Sequence, residues 1–367
     1  MNRNSQRVSL HEKIRAEMLS ELQTLSINDW LPSDRVLAKR FGVSVLTVNR
    51  AMAMLEHDGY ISRLQGKGTI FTSRERRLHR DDDGKGDVVL VATPNYYCFE
   101  FWFRSHAADE LARKNGYRTM DFWFGGDSDF NGLIALAKSE KKLRGLLVQP
   151  NPGSLTGEIL AKLDGLGIPV VLFDPYPSTN STPNIYSISP DYFQMGYLGI
   201  KRLLDAGCQS LAFINSEPPG FGDQPQLRGV KQALYEGGLR LKDLVRPTPC
   251  CHDGDDAREV GYHMTREALK HEIDGIFCAT LFGAVGAYRA IGEKGLSIPA
   301  DISVVAGTDT ADQAAQSAPP MTAINMPFRW EMEVAFDILL GRGGVYSRHI
   351  ISTCELVDRK SVSNKKA

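Results

Sequence analysis

The sequence predicts an α/β protein in which a small N-terminal domain of helices and a hairpin precedes a two-lobed domain with doubly wound parallel sheets. Residues 31–72 combine a short helix, a glycine-containing turn, a second capped helix and a Gly-Lys-Gly hairpin. From Asp87 the chain instead alternates apolar, strand-like runs with helical segments. A charged, glycine-terminated segment separates the two parts. The expected divisions are 1–73 for the first domain, 74–86 for the linker, 87–358 for the second domain and 359–367 for a tail.

The charge of the chain is divided unevenly between these two parts. The whole chain carries 43 Lys and Arg against 44 Asp and Glu, which gives a net charge of −1. The first 80 residues hold fourteen basic and eight acidic residues, or +6, and the remainder therefore carries −7. A basic N-terminal part on an acidic body points to a nucleic-acid partner.

The sequence also indicates where the protein works. No apolar run reaches the length of a transmembrane helix, and residues 1–18 contain no apolar core of a signal peptide. The six cysteines show no C-x-x-C spacing and are typical of reduced thiols. Residues 250–253 (Cys-Cys-His-Asp) resemble a metal cluster in composition, but adjacent residues of an extended segment point in opposite directions. We therefore expect a cytoplasmic protein that uses no membrane, metal or cofactor.

The first helices follow from apolar spacing and capping residues. One helix is expected from about Ser9 to Leu25, and residues 30–32 (Trp-Leu-Pro) break the chain after it. Ser33 is the expected N-cap of a short second helix, and Gly42 supplies the turn that follows. The residues of this second helix expected to face inward are Val36, Leu37 and Phe41.

A third helix and a hairpin complete the first domain. Ser44 caps the helix, residues 58–59 (Asp-Gly) end it, and strands over 60–64 and 69–72 flank a Gln-Gly-Lys-Gly loop, which makes the hairpin a wing. The face expected to be buried, at i, i+3, i+4 and i+7, consists of Val48, Ala51, Met52 and Leu55. The outer face is expected to carry Val45, Leu46, Asn49, Arg50 and Ala53.

The outer face and the wing carry side chains suited to DNA. Arg35 can reach a phosphate or a guanine edge, and Ser44 and Thr47 can donate to phosphate near a helix N-terminus. Asn49 suits bidentate contact with adenine, and Arg50 suits guanine or the DNA backbone. In the wing, two glycines allow the backbone to approach the duplex closely while a lysine supplies charge. These wing residues are Gly66, Lys67 and Gly68. The pattern predicts a winged helix-turn-helix that places one helix in the major groove.

Over roughly residues 8–72 the chain resembles the GntR-type winged helix-turn-helix. The resemblance is carried by Leu31-Pro32-Ser33-Asp34-Arg35, Phe41-Gly42-Val43-Ser44, Thr47-Val48 and Leu55 through Gly68. It implies DNA contacts at Ser33, Arg35, Ser44, Thr47, Gly66 and Lys67. Family members usually carry Arg where this chain has Val45, and often Arg where it has Asn49. We therefore expect the operator to differ from the commonest family sequence.

The second domain is predicted from its alternation of strands and helices. Expected strands are DVVLVAT, YRTMDFWF, GLLVQP, IPVVLFD, SLAFIN, IDGIFCAT, DISVVAG and TAIN, with a further short strand before Cys250. Helices are expected at about 191–206, 255–271 and 284–294 and from 328. Because the βαβα pattern occurs twice, two doubly wound lobes follow, and such open sheets bind ligands at the carboxyl ends of their strands. The expected ligand site is the cleft between the lobes.

Motifs of common enzyme classes are missing from the sequence. Residues 93–97 (Thr-Pro-Asn-Tyr-Tyr) stand where a dinucleotide-binding fold would have its glycine-rich loop. There is also no G-x-S-x-G, no H-E-x-x-H and no strand-end carboxylate pair with a nearby His. We therefore expect no catalytic residues and no enzyme activity.

From about residue 87 to residue 358 the chain resembles the lac-repressor/periplasmic sugar-binding domain. The segments that carry the resemblance are Gly116-Tyr117, Arg144-Gly145-Leu146-Leu147, Gly167-Ile168-Pro169-Val170-Val171, Leu227-Arg228-Gly229, Ile298-Pro299-Ala300-Asp301-Ile302-Ser303-Val304-Val305 and Pro319-Pro320-Met321-Thr322-Ala323-Ile324. The resemblance implies a periplasmic-binding-protein-like fold. Joined to the N-terminal domain, it is similar to the arabinose-repressor type of chimera.

The same resemblance implies where an effector would bind. The eight candidate contacts are Tyr97, Phe101, Asp174, Asp191, Gln226, Thr280, Thr308 and Asp309. Gln226 stands where the family usually has an Arg that clamps the ligand. Thr280 and Leu281 stand where the family usually has an Asn-Asp pair, and Thr308 replaces the first of two Asp. Recognition by carboxylates and a bidentate Arg is thus reduced. The ligand is then a carbohydrate held by amides, hydroxyls and aromatic faces, or a less hydroxylated molecule, or the pocket has lost its ligand.

The features together predict an effector-responsive transcriptional regulator. We expect a homodimeric repressor that binds a near-palindromic double-stranded operator and a small molecule, a sugar or sugar derivative. Two alternatives remain open at this point. One is a solute-binding protein of a transport system, and the other is a DNA-binding domain fused to an enzyme.

Overall fold

The computed structural model describes residues 10–22, 29–57, 60–64, 68–71, 86–94, 99–124, 130–150, 154–173, 182–216, 223–247, 256–310, 312–342 and 346–364. The chain forms two compact units, Met1–Gly86 and Asp87–Ala367. None of the described helices has the length and apolar character needed to cross a membrane.

The first unit contains three helices and a small antiparallel sheet. Its elements are α1 (Leu10–Leu22), β1 (Trp30–Leu31), α2 (Asp34–Phe41), α3 (Val45–His57), β2 (Ile61–Leu64) and β3 (Gly68–Phe71), with the sheet order β1-β3-β2. The face of α3 expected to be buried, from Val48 to Leu55, is fully enclosed by α1, α2 and the sheet. A helix has 3.6 residues per turn, so apolar residues at i, i+3, i+4 and i+7 form one stripe. The burial of all four residues confirms the predicted inner face of α3.

One expectation for the first unit is wrong, and another is incomplete. Val36 was expected to face inward, but its side chain is 55% exposed, and Ala38 joins Leu37 in the core instead. The inward arc of an eight-residue helix is narrow, and Val36 lies one step outside it. Trp30 and Leu31 do more than break the chain, because they form β1 and pair with Ile70 and Thr69 of β3.

The second unit begins with a run of alternating strands and helices. Its first elements are β4 (Val88–Pro94), α4 (Phe99–Lys114), β5 (Arg118–Phe124), α5 (Phe130–Ser139), β6 (Leu143–Val148), α6 (Gly157–Asp164), β7 (Val170–Leu172) and β8 (Ile185–Pro190). The next elements are α7 (Tyr192–Asp205), β9 (Leu211–Ile214), α8 (Asp223–Glu236), α9 (Ala257–Ala268), β10 (Gly275–Cys278), α10 (Leu281–Glu293), β11 (Ser303–Asp309) and β12 (Thr322–Asn325). The last are α11 (Phe328–Leu339), β13 (His349–Ser352) and β14 (Glu355–Val357).

These elements form two lobes, each built on one sheet. Lobe A has the strand order β13-β8-β7-β6-β4-β5, all parallel, and α4, α5, α6 and α11 flank it. Lobe B has the order β14-β12-β11-β10-β9, in which β14 alone pairs antiparallel. Helices cover both faces of each sheet, which explains why β4 and β11 are buried along almost their whole length. Of the expected strand before Cys250, the described residues, which end at 247, show an isolated bridge between Ala212 and Val245.

The chain passes between the lobes three times, after β8, between β12 and α11, and between β13 and β14. The crossings are held side by side. The Asp191 N–H donates to the Ser352 carbonyl at 2.8 Å, and the Cys354 thiol lies 3.6 Å from the Asp191 carbonyl and 3.7 Å from the Met326 sulfur. We call these crossings the hinge.

Residues 359–364 do not form the tail that the sequence suggested. Ser361 is fully buried, its hydroxyl donates to the Val304 carbonyl, and the Val304 N–H donates back to the Ser361 carbonyl at 2.8 Å. The segment therefore pairs with β11 and belongs to lobe B. Short-range patterns could not reveal this pairing because its partner lies far away in the sequence.

Candidate nucleic-acid interface and effector site

The turn between α2 and α3 fixes the angle between these helices. Gly42 has φ 66° and ψ 32°, a left-handed conformation that glycine adopts without strain, and its N–H donates to the Ala38 carbonyl. Ser44 then caps α3, because its hydroxyl accepts the Thr47 N–H at 3.1 Å. The arrangement is that of a helix-turn-helix in which α3 is the second helix.

The cap of α3 retains a proton for an outside acceptor. The Ser44 and Thr47 hydroxyl oxygens lie 2.8 Å apart and share one hydrogen bond. The pair has two hydroxyl protons and this bond uses one, so the other can donate to a phosphate at the N-terminus of α3. Both residues were expected at this interface.

The outer face of α3 is accessible. Val45 is 41% exposed, and Leu46, Asn49, Arg50 and Ala53 are half-buried, as expected from the period of the helix. Asn49 and Arg50 already interact with other groups of the protein. On binding a base they would exchange those partners for the base edge, as polar interface groups do when they leave their free-state contacts.

The start of α2 provides two further candidates. Ser33 has extended backbone at the N-cap position, but its hydroxyl makes no cap hydrogen bond, so it differs from Ser44. Arg35 is exposed in the first turn of α2. The wing candidates Gly66 and Lys67 lie outside the described residues, between β2 and β3.

The carboxyl edge of lobe A holds a buried amide without partners. Gln149 directly follows β6, and its N–H donates to the Ala92 carbonyl at the end of β4. The side chain is only 2% exposed, yet neither its Oε1 nor its Nε2 has a hydrogen-bond partner among the described groups. Burying an unpaired amide costs about 1–3 kcal/mol. Such a group at the ligand-binding edge of an open sheet is therefore suited to a polar ligand.

The carboxyl edge of lobe B carries hydroxyls and a second such amide. Gln226, in the first part of α8, is 4% exposed and its Nε2 is unpartnered among the described groups. Thr280 caps α10 by accepting the Gly283 N–H, and its hydroxyl lies 2.9 Å from that of Ser216. The Thr310 hydroxyl, just after β11, is buried without a partner among the same groups.

The end of β11 is strained, and its carboxylate is already engaged. Thr308 has φ 47°, which is unfavourable for a β-branched residue, and the register with β12 shifts at this point. Asp309 is 1% exposed, accepts the Ala314 N–H at 3.1 Å and pairs with Arg359 at 3.2 Å. The structure thus places Asp309 in an internal ion pair. The Thr308 hydroxyl accepts a hydrogen bond from the Leu281 N–H at 3.4 Å, which brings Thr308 close to Thr280.

The remaining effector candidates are distributed around the cleft. Phe101 is half-buried on α4. Asp191 caps α7 by accepting the Gln194 N–H at 2.8 Å, so it lies in the hinge. Between the lobes, the Phe99 ring of α4 meets the Phe282 ring of α10 edge-on at 6.0 Å. Tyr97 and Asp174 lie outside the described residues.

Sequence reasoning missed Gln149, Ser216 and Thr310. Each immediately follows, or lies two residues after, a buried strand, and a polar residue at that position was the available signal. No group of His, Cys, Asp and Glu in the described part of the chain has the geometry to hold a metal ion. Residues 250–253, considered above as a metal cluster, lie outside that part.

Comparison with protein families gives one match in each of the two units. Residues 8–71 match the bacterial regulatory proteins of the gntR family, and residues 200–362 match the periplasmic binding protein-like domain. Both resemblances noted from the sequence are thereby confirmed.

Two curated relatives match most of the chain. The HTH-type transcriptional repressor PurR of Haemophilus influenzae is 31% identical over 346 residues, which cover 89% of this chain and 98% of that protein. The arabinose metabolism transcriptional repressor of Halalkalibacterium halodurans is 25% identical over 314 residues, 83% of this chain and 80% of that protein.

Solved structures of similar fold cover the second unit. A LacI family transcriptional regulator from Enterococcus faecium with bound ribose superposes with a TM-score of 0.63 at 20% identity, over 76% of this chain and 99% of that one. A LacI family regulator from Weissella paramesenteroides with bound glucose gives 0.63 at 16% identity, over 76% and 100%. The fold expected from the sequence is confirmed by these superpositions.

Proposed function

The chain belongs to the HTH-type transcriptional repressors and carries a periplasmic-binding-protein-like domain. We propose that a small polar effector, bound in the cleft between the lobes, controls its affinity for DNA. The relatives named above are transcriptional repressors rather than enzymes, and this chain is likewise a DNA-binding regulator. This excludes a solute-binding protein and an enzyme fusion as its function. The protein then acts in the cytoplasm, where its operator lies.

The DNA-binding part of the proposal assigns roles within the first unit. α3 enters the major groove, Asn49 and Arg50 read base edges, and Ser44 and Thr47 bind phosphate. Arg35, Ser33 and the wing residues Gly66 and Lys67 add contacts to the backbone. Two such units in a homodimer bind half-sites of a near-palindrome, since a two-fold dimer matches a two-fold operator.

The effector part of the proposal rests on Gln149. A buried amide that has no hydrogen-bond partner among the described groups suits a ligand that completes its hydrogen bonds, and it occurs at the edge where open sheets bind ligands. Gln226, Thr280, Thr308 and the neighbouring hydroxyls are uncharged donors and acceptors. Such a set suits hydroxyl groups, and we therefore favour a sugar or sugar derivative.

The relatives favour one effector class, and the aromatic side chains leave a second one open. One relative is a repressor of arabinose metabolism, and solved structures of similar fold hold ribose or glucose, which favours a pentose or hexose. The aromatic rings Phe99, Phe101 and Phe282 would also stack on a purine. We place sugars first because, among the described residues at the two strand edges, amide and hydroxyl groups outnumber aromatic rings.

The effector proposal predicts an unusual response to Gln149→Met. Without ligand, this variant should be more stable than the parent by up to about 1–3 kcal/mol, because it removes, at similar volume, a buried amide that no described group pairs with. It should also lose the rise in Tm that the effector gives the parent. Thermal unfolding with and without sugars, sugar acids and purines measures both effects.

Gln232→Met is the matched control, because Gln232 is exposed on α8 and donates to Glu236 at 2.8 Å. It should leave the ligand response intact. A Gln149→Met protein that still responds to the effector like the parent would show that Gln149 does not bind it.

The DNA-binding proposal predicts different effects for base-reading and phosphate-binding residues. Asn49→Ala or Arg50→Ala should relax preference at one operator position, at a cost of about 1–3 kcal/mol, whereas Thr47→Ala should weaken all sequences alike. Selection of sites from a randomised duplex pool, followed by titration of single-position variants, distinguishes these outcomes. If neither Asn49→Ala nor Arg50→Ala changes sequence preference, α3 does not read bases through these residues.

A further inference from the structure

The edge of lobe A where the chain enters lies opposite the ligand-binding edge. β4 begins directly after Asp87, the first residue of the second unit. The Val88 N–H donates to the Lys142 carbonyl at 2.8 Å, and the Arg118 N–H donates to the Asp87 carbonyl at 3.0 Å. These bonds bring the starts of β4, β5 and β6 together. The linker over 74–86 therefore joins the second unit at this amino edge.

Basic residues crowd this amino edge. Most of them are exposed, and they come from the connections that precede β5 and β6 and from the chain after α11. This group, which we call the basic rim, consists of Lys114, Arg118, Lys141, Lys142, Arg144 and Arg342. Contacts hold it together, since Arg118 pairs with Glu140 at 3.3 Å, Arg144 pairs with Asp87 at 2.7 Å, and Arg342 donates to the Asn115 side chain.

Among the described residues, the basic rim has more cations than neighbouring carboxylates. Three described carboxylates lie near its six cations, namely Asp87, Glu140 and Asp337, and the last accepts a hydrogen bond from Tyr346. The remainder of the chain beyond residue 80 has a net charge of −7, so this excess is local. In lobe B, the residues just before β10 and β11 are acidic instead, as Glu272, Asp274 and Asp301.

Lobe A does not need this cluster for its own stability. Exposed ion pairs contribute only weakly to folding, and like charges gathered on one edge repel each other. A polyanion offsets that repulsion, because each phosphate neutralised by Lys or Arg releases a condensed counterion. The covalent link to the DNA-binding unit joins this edge and keeps a duplex at high local concentration.

We propose that the basic rim binds the phosphate backbone of DNA beside the operator. This inference rests on the DNA-binding function of the first unit and adds a second, sequence-independent contact from the effector domain. Lobe A carries both this contact and one wall of the effector cleft. A change in the orientation of lobe A on effector binding would therefore also change the contact between the rim and the duplex.

The salt dependence of DNA binding tests the proposal in the full chain. The variant combines Lys114→Gln, Lys141→Gln and Lys142→Gln, and the probe is a long mixed-sequence duplex titrated at several KCl concentrations. The plot of log affinity against log salt should become shallower by about 2–3, at about 0.9 for each lost phosphate contact. Affinity at low salt should fall at least tenfold.

A matched variant in lobe B and a charge rescue complete the design. Lys231→Gln, Lys242→Gln and Arg246→Gln remove equal charge from exposed positions of lobe B and should leave the parent slope unchanged. Replacing the three rim lysines by Arg should retain it as well. If the rim variant keeps the parent slope, or the lobe B variant loses as much, the rim does not bind DNA. If the parent itself shows no salt-sensitive DNA binding, the proposed function fails instead.

Discussion

Two Arg–Glu pairs join the same two helices of lobe A in opposite senses. Arg104 of α4 pairs with Glu331 of α11 at 2.8 Å, and both side chains are almost fully buried. Arg329 of α11 pairs with Glu110 of α4 at 2.6 Å on the exposed surface. A buried pair is tolerated only where further hydrogen bonds offset its desolvation, and the Ser352 hydroxyl supplies one to Glu331 at 2.5 Å. The two pairs should therefore respond very differently to mutation.

Glu331→Gln should destabilise the second unit by about 3 kcal/mol, because it leaves the Arg104 charge buried without its main partner. The effect stays at the lower end of the usual range, since Glu100 remains 3.9 Å from Arg104. Burial raises the pKa of Glu100, and the positive charge of Arg104 opposes that rise. Urea-induced unfolding of this variant, of the control described next and of the parent measures the free energies of unfolding to be compared.

Glu110→Gln is the control, because it breaks the exposed pair between the same helices. Its cost should stay below about 1 kcal/mol, since solvent screens the Arg329–Glu110 attraction. Equal losses for the two variants would mean that burial does not set the energy of the inner pair.

At this scale the sequence predicted residues whose partners are local and failed where partners are distant. Ser44 was identified as a cap because the N–H that donates to its hydroxyl, that of Thr47, lies three residues further along the chain. Asp309 was expected in the effector site, but its carboxylate is taken by Arg359, fifty residues further along the chain. Gln149 was overlooked for the converse reason. Its importance lies in the lack of partners among the described groups, which no local pattern reveals.

Helices and strands were predicted well wherever burial imposes a period. α7, α9 and α11 lie within a few residues of their expected bounds, and α10 begins three residues earlier than expected because Thr280 caps it. β1 was missed, since two residues carry no period and its pairing with β3 depends on the folded hairpin. The three crossings of the hinge could not be predicted from the sequence either, because they depend on which strands pair.

Close packing of α7 against α8 gives a prediction about one glycine. A Cβ at Gly229 of α8 would meet the Phe193 carbonyl and the Tyr197 N–H of α7, both backbone groups that cannot rotate away. Gly229→Ala should therefore force the helices apart and destabilise lobe B by about 1–3 kcal/mol. Thermal and urea unfolding measure the loss.

Gly292→Ala in α10 is the matched control, because no atom lies within 4 Å of the added Cβ and the residue is helical. It should stabilise the protein by up to about 1 kcal/mol through helix propensity. Opposite signs for the two glycines are expected. A neutral Gly229→Ala would show that α7 and α8 separate at no cost.

At the scale of the whole molecule, the hinge determines how an effector signal can travel. Each lobe has its own core on both sheet faces, so a lobe moves as a unit rather than deforming. Asp191, Ser352 and Cys354 hold the three crossings together. We therefore expect one lobe to rotate against the other about the hinge. A coupling of about 1–3 kcal/mol between cleft and DNA, a roughly 5–150-fold change in operator affinity, needs only a change in the population of lobe angles.

Cys354 can report this rotation, because its thiol touches all three crossings. Burial raises its pKa to about 12, so at neutral pH the thiol is protonated and unreactive while the hinge is closed. Alkylation should therefore require hinge opening, and the effector should slow it. Cys278 is the last residue of β10, has no exposure and should react only on global unfolding. Mass spectrometry of the two peptides separates hinge motion from unfolding. If the effector slows Cys354 and Cys278 by the same factor, it stabilises the fold as a whole and the hinge does not carry the signal.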